Sequence, residues 1–92
     1  MRAIKYTARF KRDYQRERAG RFGAKLDEAL LEVVNLLATD KPLAPRNYDH
    51  PLSGNWKDHR DCHIKPDLVL IYRKLGLEAL ELVRLGSHSE LF

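Results

Sequence analysis

From Phe22 onward the apolar positions Phe22, Leu26, Ala29, Leu30, Val33 and Leu37 recur at helical spacing and form a stripe about 100° wide. This spacing predicts a helix with one buried face. Asp27 and Glu28 fall in its early turns, where negative charge suits the helix dipole. Pro42 and Pro45 then end helical structure and open an irregular loop to Pro51. Upstream, Thr7 is placed to cap a basic helix running to about Ala19, with Phe10 and Tyr14 one turn apart on its buried side. Gly20 and Gly23 punctuate the turn between the two helices. Ala3 to Tyr6 reads as a short first strand.

Beyond the loop the pattern becomes strand-like. Trp56 to Ile64, Leu68 to Lys74 and Ala79 to Leu85 are the runs, with Lys65-Pro66 and Gly76 at the reversals. Two helices followed by an antiparallel meander predict a small α+β fold over residues 1–92, a single domain with both helices on one face of the sheet. Alternation puts His59, Asp61 and His63 on one side of their strand, and Arg60, Cys62 and Ile64 on the other. Cys62 and Ile64 suit the helix-covered face, which leaves the histidines and Asp61 on the open one. A three-residue connection through Ile64, Lys65 and Pro66 would set Asp67 opposite His63 on that open face. A two-residue turn would send it to the other. The longer connection is the expectation.

The composition, 43% hydrophobic and 33% charged in 92 residues, is that of an ordinary folded domain near the lower size limit for a single core. No apolar run approaches the roughly 20 residues that span a bilayer, and no secretory-signal stretch opens the chain. Cys62 is the only cysteine, so a reducing cytoplasm fits best. The net charge of +4 is unevenly spread. Residues 1–25 hold nine Lys or Arg against Asp13 and Glu17. Such a stretch is either a solvated helix face or a surface for a polyanion or an acidic partner.

All four histidines (His50, His59, His63 and His88) lie in the second half, among acids and bases. Imidazole exchanges protons near neutral pH. On a strand, His59 and His63 stand roughly 13 Å apart, too far to share a metal ion. His50, His63 and His88 could converge from separate elements, but no metal or other cofactor is expected. Cys62 belongs to the core-facing set, where a thiol behaves as a small hydrophobe. No glycine-rich phosphate loop is present. Metal-free RNA cleavage fits these residues better. The ribose 2′-OH serves as nucleophile, imidazoles and carboxylates shuttle the protons, and a guanidinium steadies the developing charge. DNA lacks that hydroxyl, so the scheme is specific for RNA.

The run His50-Pro51-Leu52-x-Gly54-x-Trp56-Lys57-x-x-Arg60-Asp61-x-His63-x-x-Pro66-Asp67-x-x-Leu70-Ile71-Tyr72, followed by Arg84-x-Gly86-x-His88-x-x-Leu91-Phe92, closely resembles the YafQ branch of the RelE superfamily of bacterial toxins. The resemblance implies a RelE-like fold and a type II toxin that enters the ribosomal A site, contacts rRNA there and cuts mRNA. A cognate antitoxin holds it inactive, and operator DNA is bound only as the toxin–antitoxin complex. By the matching positions, His50, His63, Asp67 and His88 form the acid–base set. His88 is favoured as proton donor, His50 or His63 as base, and Asp67 orients an imidazole. Arg84 meets the phosphate, while Asp61 and Phe92 position mRNA.

Each assignment has a plainer counterpart. Asp61 and Asp67 could pair with surface cations, Arg84 could bridge strands, and Phe92 could cap the core. Trp56 and Tyr72 read as packing residues, His59 as a solvated side chain, and Asn47 and Tyr48 as a lead-in with no assigned task. The competing function is that of ParE-type toxins, which share the fold and inhibit DNA gyrase without catalysis. Spaced acid–base groups argue against it.

Overall fold

Thr7 ends the first strand and starts the first helix with one hydroxyl. Its oxygen accepts the Phe10 N–H at 2.9 Å and donates to the Val83 carbonyl at 2.7 Å. The cap therefore also ties this junction to the last strand. The computed structural model describes residues 1–92. The elements run β1 (Ala3–Tyr6), α1 (Ala8–Ala19), α2 (Lys25–Ala38), β2 (His50–Pro51), β3 (Arg60–Lys65), β4 (Leu68–Leu75), β5 (Ala79–Gly86) and α3 (His88–Leu91), with one-turn 3₁₀ segments at Pro45–Asn47 and Gly54–Trp56. No helix is long and apolar enough to cross a membrane.

The five strands lie in the order β1-β5-β4-β3-β2. The β2-β3-β4-β5 neighbours are antiparallel, and β1 joins β5 in parallel. The expected α+β layering holds. Phe10 from α1 and Leu26, Leu30, Val33, Val34 and Leu37 from α2 bury one face of the sheet, meeting Cys62, Ile64, Leu70, Tyr72, Leu80 and Leu82. Each large side chain so buried contributes about 1.5–3 kcal/mol. The opposite face carries a smaller apolar patch, Val69 and Ile71, which Leu91 of α3 covers.

β5 outlasts its neighbour. Where β1 stops at Tyr6, the free edge of β5 is taken by α1 instead of a strand. Asp13 accepts the Leu85 N–H at 3.1 Å, and Arg16 donates to the Leu85 carbonyl at 3.0 Å. Side chains thus satisfy backbone groups that a sheet edge would otherwise leave open.

Two readings of the pattern need correction. The strand predicted from Trp56 begins only at Arg60: Gly54–Trp56 is a 3₁₀ turn, and Asp58 takes φ +70°. That puts His59 before the strand, edge-on to the Trp56 ring at 5.4 Å, so it is not a partner of Asp61 and His63 on a shared face. The connection between β3 and β4 is also shorter than the three residues expected. Lys65 pairs with Leu68, leaving only Pro66 and Asp67 in the turn, and a bulge at Ile64 absorbs the extra residue. Asp67 consequently does not face His63. It sits on the turn, ion-paired to Arg21 at 2.8 Å.

Candidate active site

The register of the sheet assembles the site. His50 pairs with Asp61, Asp61 with Ile71, and Ile71 with Arg84, which makes one row across four strands. The next row is His63, Val69 and Gly86. Strand spacing places His50 and Arg84 roughly 14 Å apart, with the two rows roughly 7 Å from each other. Gly86 leaves room for the last element. A Cβ there would come within 3.1 Å of an Arg16 nitrogen and 3.3 Å of Leu91 Cδ2. With that space open, Leu91 seats on Val69 and Ile71. The α3 turn starts at a capping box, in which Ser87 accepts the Glu90 N–H and Glu90 accepts the Ser87 N–H. It presents His88, whose ring centroid lies 4.8 Å from that of Phe92.

Asp61 is the hub. Only 1% of it is exposed, and its Oδ1 lies 2.9 Å from His50 Nε2. Despite that approach, Oδ1 has no aligned hydrogen-bond donor. Burial pushes the Asp61 carboxyl up, while the positive fields of His50, His63 and His88 pull it back down. His50 touches this carboxylate, His63 lies two residues along the same strand, and His88 opens the helix that follows β5. His50 is turned by a backbone group: a carbonyl oxygen only accepts, so its Nδ1 donates to Tyr48 O at 2.7 Å. His63 is turned likewise, with Nδ1 donating to Pro66 O at 3.3 Å. The Nε2 of a neutral His63 is therefore the unprotonated nitrogen, available to take a proton.

Asn47 and Tyr48 flank His63. The buried Asn47 amide donates to the His63 carbonyl at 2.7 Å, and the Tyr48 and His63 rings form a T-shaped pair at 5.4 Å. At the other end, Arg84 is 14% exposed and grips Asp13 through Nε (2.7 Å) and Nη2 (3.1 Å). Its Nη1 takes no part in that grip. Asp13 is 3% exposed, and burial alone would raise its carboxyl. Hydrogen bonds from Arg84 and Leu85, with Arg16 adding to them, outweigh burial and leave it below the usual carboxylate range.

His50, Asp61, His63, His88 and Phe92 thus gather on one face. Arg84 closes the far end of the row, and Asp67 points to Arg21. Cys62 lies in the core with its thiol pushed up by burial, and Tyr72 is buried with its hydroxyl donating to Asp49 at 2.5 Å. Neither is free to react. No three His, Cys, Asp or Glu side chains are grouped so as to hold a metal ion. The sequence reading missed Asp13, whose one signal was being an acid, with Glu17, in a stretch of nine bases. It also gave Tyr48 no role.

A family model described as "Bacterial toxin of type II toxin-antitoxin system, YafQ" matches residues 2–92. The mRNA interferase toxin YafQ of Escherichia coli (strain K12) is 35% identical over 91 residues, 99% of this chain and 96% of that relative. Among solved structures, a metal-bound toxin from Helicobacter pylori is 45% identical with a TM-score of 0.84, and all of both chains is covered. YafQ in the E. coli DinJ-YafQ complex is 33% identical with a TM-score of 0.80, covering 100% of this chain and 99% of that one.

Proposed function

The chain belongs to the YafQ family of type II toxin–antitoxin toxins, and on that premise we propose that it is an endoribonuclease that cuts mRNA in the ribosomal A site. The pairing of His50 with the buried Asp61, with His63 on the same strand and His88 against Phe92, carries this reading. A cognate antitoxin restrains the toxin in the cytoplasm, as suits a relative seen in the DinJ-YafQ complex. The basic face of α1 favours an acidic partner or rRNA, and operator DNA is bound only by the toxin–antitoxin pair.

The chemistry needs no covalent enzyme intermediate. His63 Nε2 removes the proton from the ribose 2′-OH, which attacks the adjacent phosphorus and forms a 2′,3′-cyclic phosphate. His88, in its protonated form, gives a proton to the departing 5′ oxygen. Each transfer is worth about 10²- to 10⁴-fold. Asp61, 2.9 Å from His50 Nε2, fixes that ring beside the developing phosphorane, and Arg84 offers Nη1 to a phosphate oxygen. Phe92 provides a ring for a base. Asp67 enters through its position beside Pro66, whose carbonyl orients His63. The Helicobacter pylori relative is a metal-bound toxin; here the proton transfers rest on imidazoles whose neighbours are backbone carbonyls and Asp61.

Mapping 5′ ends of transcripts after induction tests the proposal. Cuts at in-frame positions are expected with the wild-type chain and none with His88→Ala. Growth arrest without new transcript ends would overturn it. A gyrase-directed toxin would give that second result.

A further inference from the structure

Tyr48 is an awkward residue for its place. It adopts φ +46°, ψ +48°, a left-handed conformation that suits glycine and strains a bulky side chain. The residue is 66% exposed, so core packing does not explain why a large aromatic is kept there. The same residue meets two of the imidazoles, its carbonyl accepting from His50 Nδ1 and its ring forming a T-shaped pair with His63 at 5.4 Å. Beyond β5, Phe92 is 49% exposed and lies against His88. Each end of the histidine cluster is thus bounded by an exposed aromatic ring. A dinucleotide whose linkage lies among the imidazoles projects one base toward each.

We propose that Tyr48 is a nucleobase-stacking platform, receiving the base on the His63 side of the cut linkage while Phe92 receives the base on the His88 side. The inference rests on the ribonuclease reading above. The π-face of the exposed ring takes a purine or a pyrimidine, so Tyr48 adds grip with little choice of base. Strain at this position follows from keeping a ring where glycine would sit more easily.

Programmed ribosomes carrying a defined mRNA supply the test, with the half-saturating concentration and the maximal cleavage rate measured separately. Tyr48→Ala and Tyr48→Gly should both raise the half-saturating concentration by about 10-fold, the scale of one lost base stack. Tyr48→Phe and Tyr48→Trp should stay within about twofold of wild type. The thermal midpoint of Tyr48→Gly should equal or exceed that of wild type, because the left-handed strain is relieved. Loss of grip beside gained stability is a combination that a purely structural role does not produce. Half-saturation unchanged in Tyr48→Ala and Tyr48→Gly, or lost equally in Tyr48→Phe, overturns the platform while leaving the ribonuclease reading intact. Absence of cleavage by wild type removes both.

Discussion

Asp13, on α1 against the edge of β5, and Asp61, on β3, are both buried carboxylates, and they have opposite surroundings. Asp13 is saturated: Arg84, Arg16 and the Leu85 amide all donate to it, and its carboxyl is held low. Asp61 faces three imidazoles yet keeps an oxygen without an aligned donor, and its carboxyl is pushed up. A satisfied buried charge ties elements together. An unsatisfied one stores free energy that a reaction can use by placing positive charge beside it. The first carboxylate belongs to the fold, the second to the chemistry.

Mutations separate the two. Asp13→Ala should cost about 3–5 kcal/mol in urea unfolding, because it strands the half-buried Arg84 and opens the edge of β5. A loss below about 1 kcal/mol would mean that the Asp13 network is dispensable. Asp61→Asn should go the other way, gaining about 1 kcal/mol by removing a poorly paired buried charge. Its cleavage should nevertheless slow by about tenfold or more, each 1.4 kcal/mol of transition-state stabilisation being a factor of ten. Equal losses of stability in both variants would erase the contrast.

pH sharpens the comparison. Asp13 has a lowered folded-state pKa, so its stabilisation is present above the ordinary carboxylate value of about 3.9 and disappears as pH falls through the lowered one. Asp61 has a raised pKa, so its contribution is greatest below about 3.9 and is lost as pH rises through the raised value. The wild type should therefore lead Asp13→Asn by most at neutral pH and by less in acid. Asp61→Asn should lead the wild type only at the higher pH values. A urea series from acid to neutral pH reads both trends. The smallest effect belongs to the exposed Arg21–Asp67 pair. Arg21→Ala should change stability by less than about 1 kcal/mol, and a larger loss would show the turn to be held more firmly than an exposed pair allows.

Much of this was legible from periodicity. The α2 stripe and the division of Cys62 and Ile64 from Asp61 and His63 follow from spacings of 3.6 and 2, and the Thr7 cap from its hydroxyl, all of which local sequence carries directly. What periodicity does not carry is where a ladder starts or slips. Asp58 in a left-handed turn delays β3, and the bulge at Ile64 shortens the hairpin, so His59 and Asp67 move out of the places that simple alternation gives them. The His50–Pro51 strand is two residues long and exists only because β3 lies beside it. The bond between Asp13 and Arg84 joins residues 71 positions apart, and no local pattern announces it.

The central claim is that imidazoles gathered around Asp61 drive attack by a ribose hydroxyl. The most direct measurement is cleavage of a ribosome-bound mRNA carrying one 2′-deoxy nucleotide immediately upstream of the cut. The account predicts no cut at that linkage, and a 2′,3′-cyclic phosphate on the upstream fragment of the all-ribose control. Cleavage of the 2′-deoxy substrate at the control rate would contradict it.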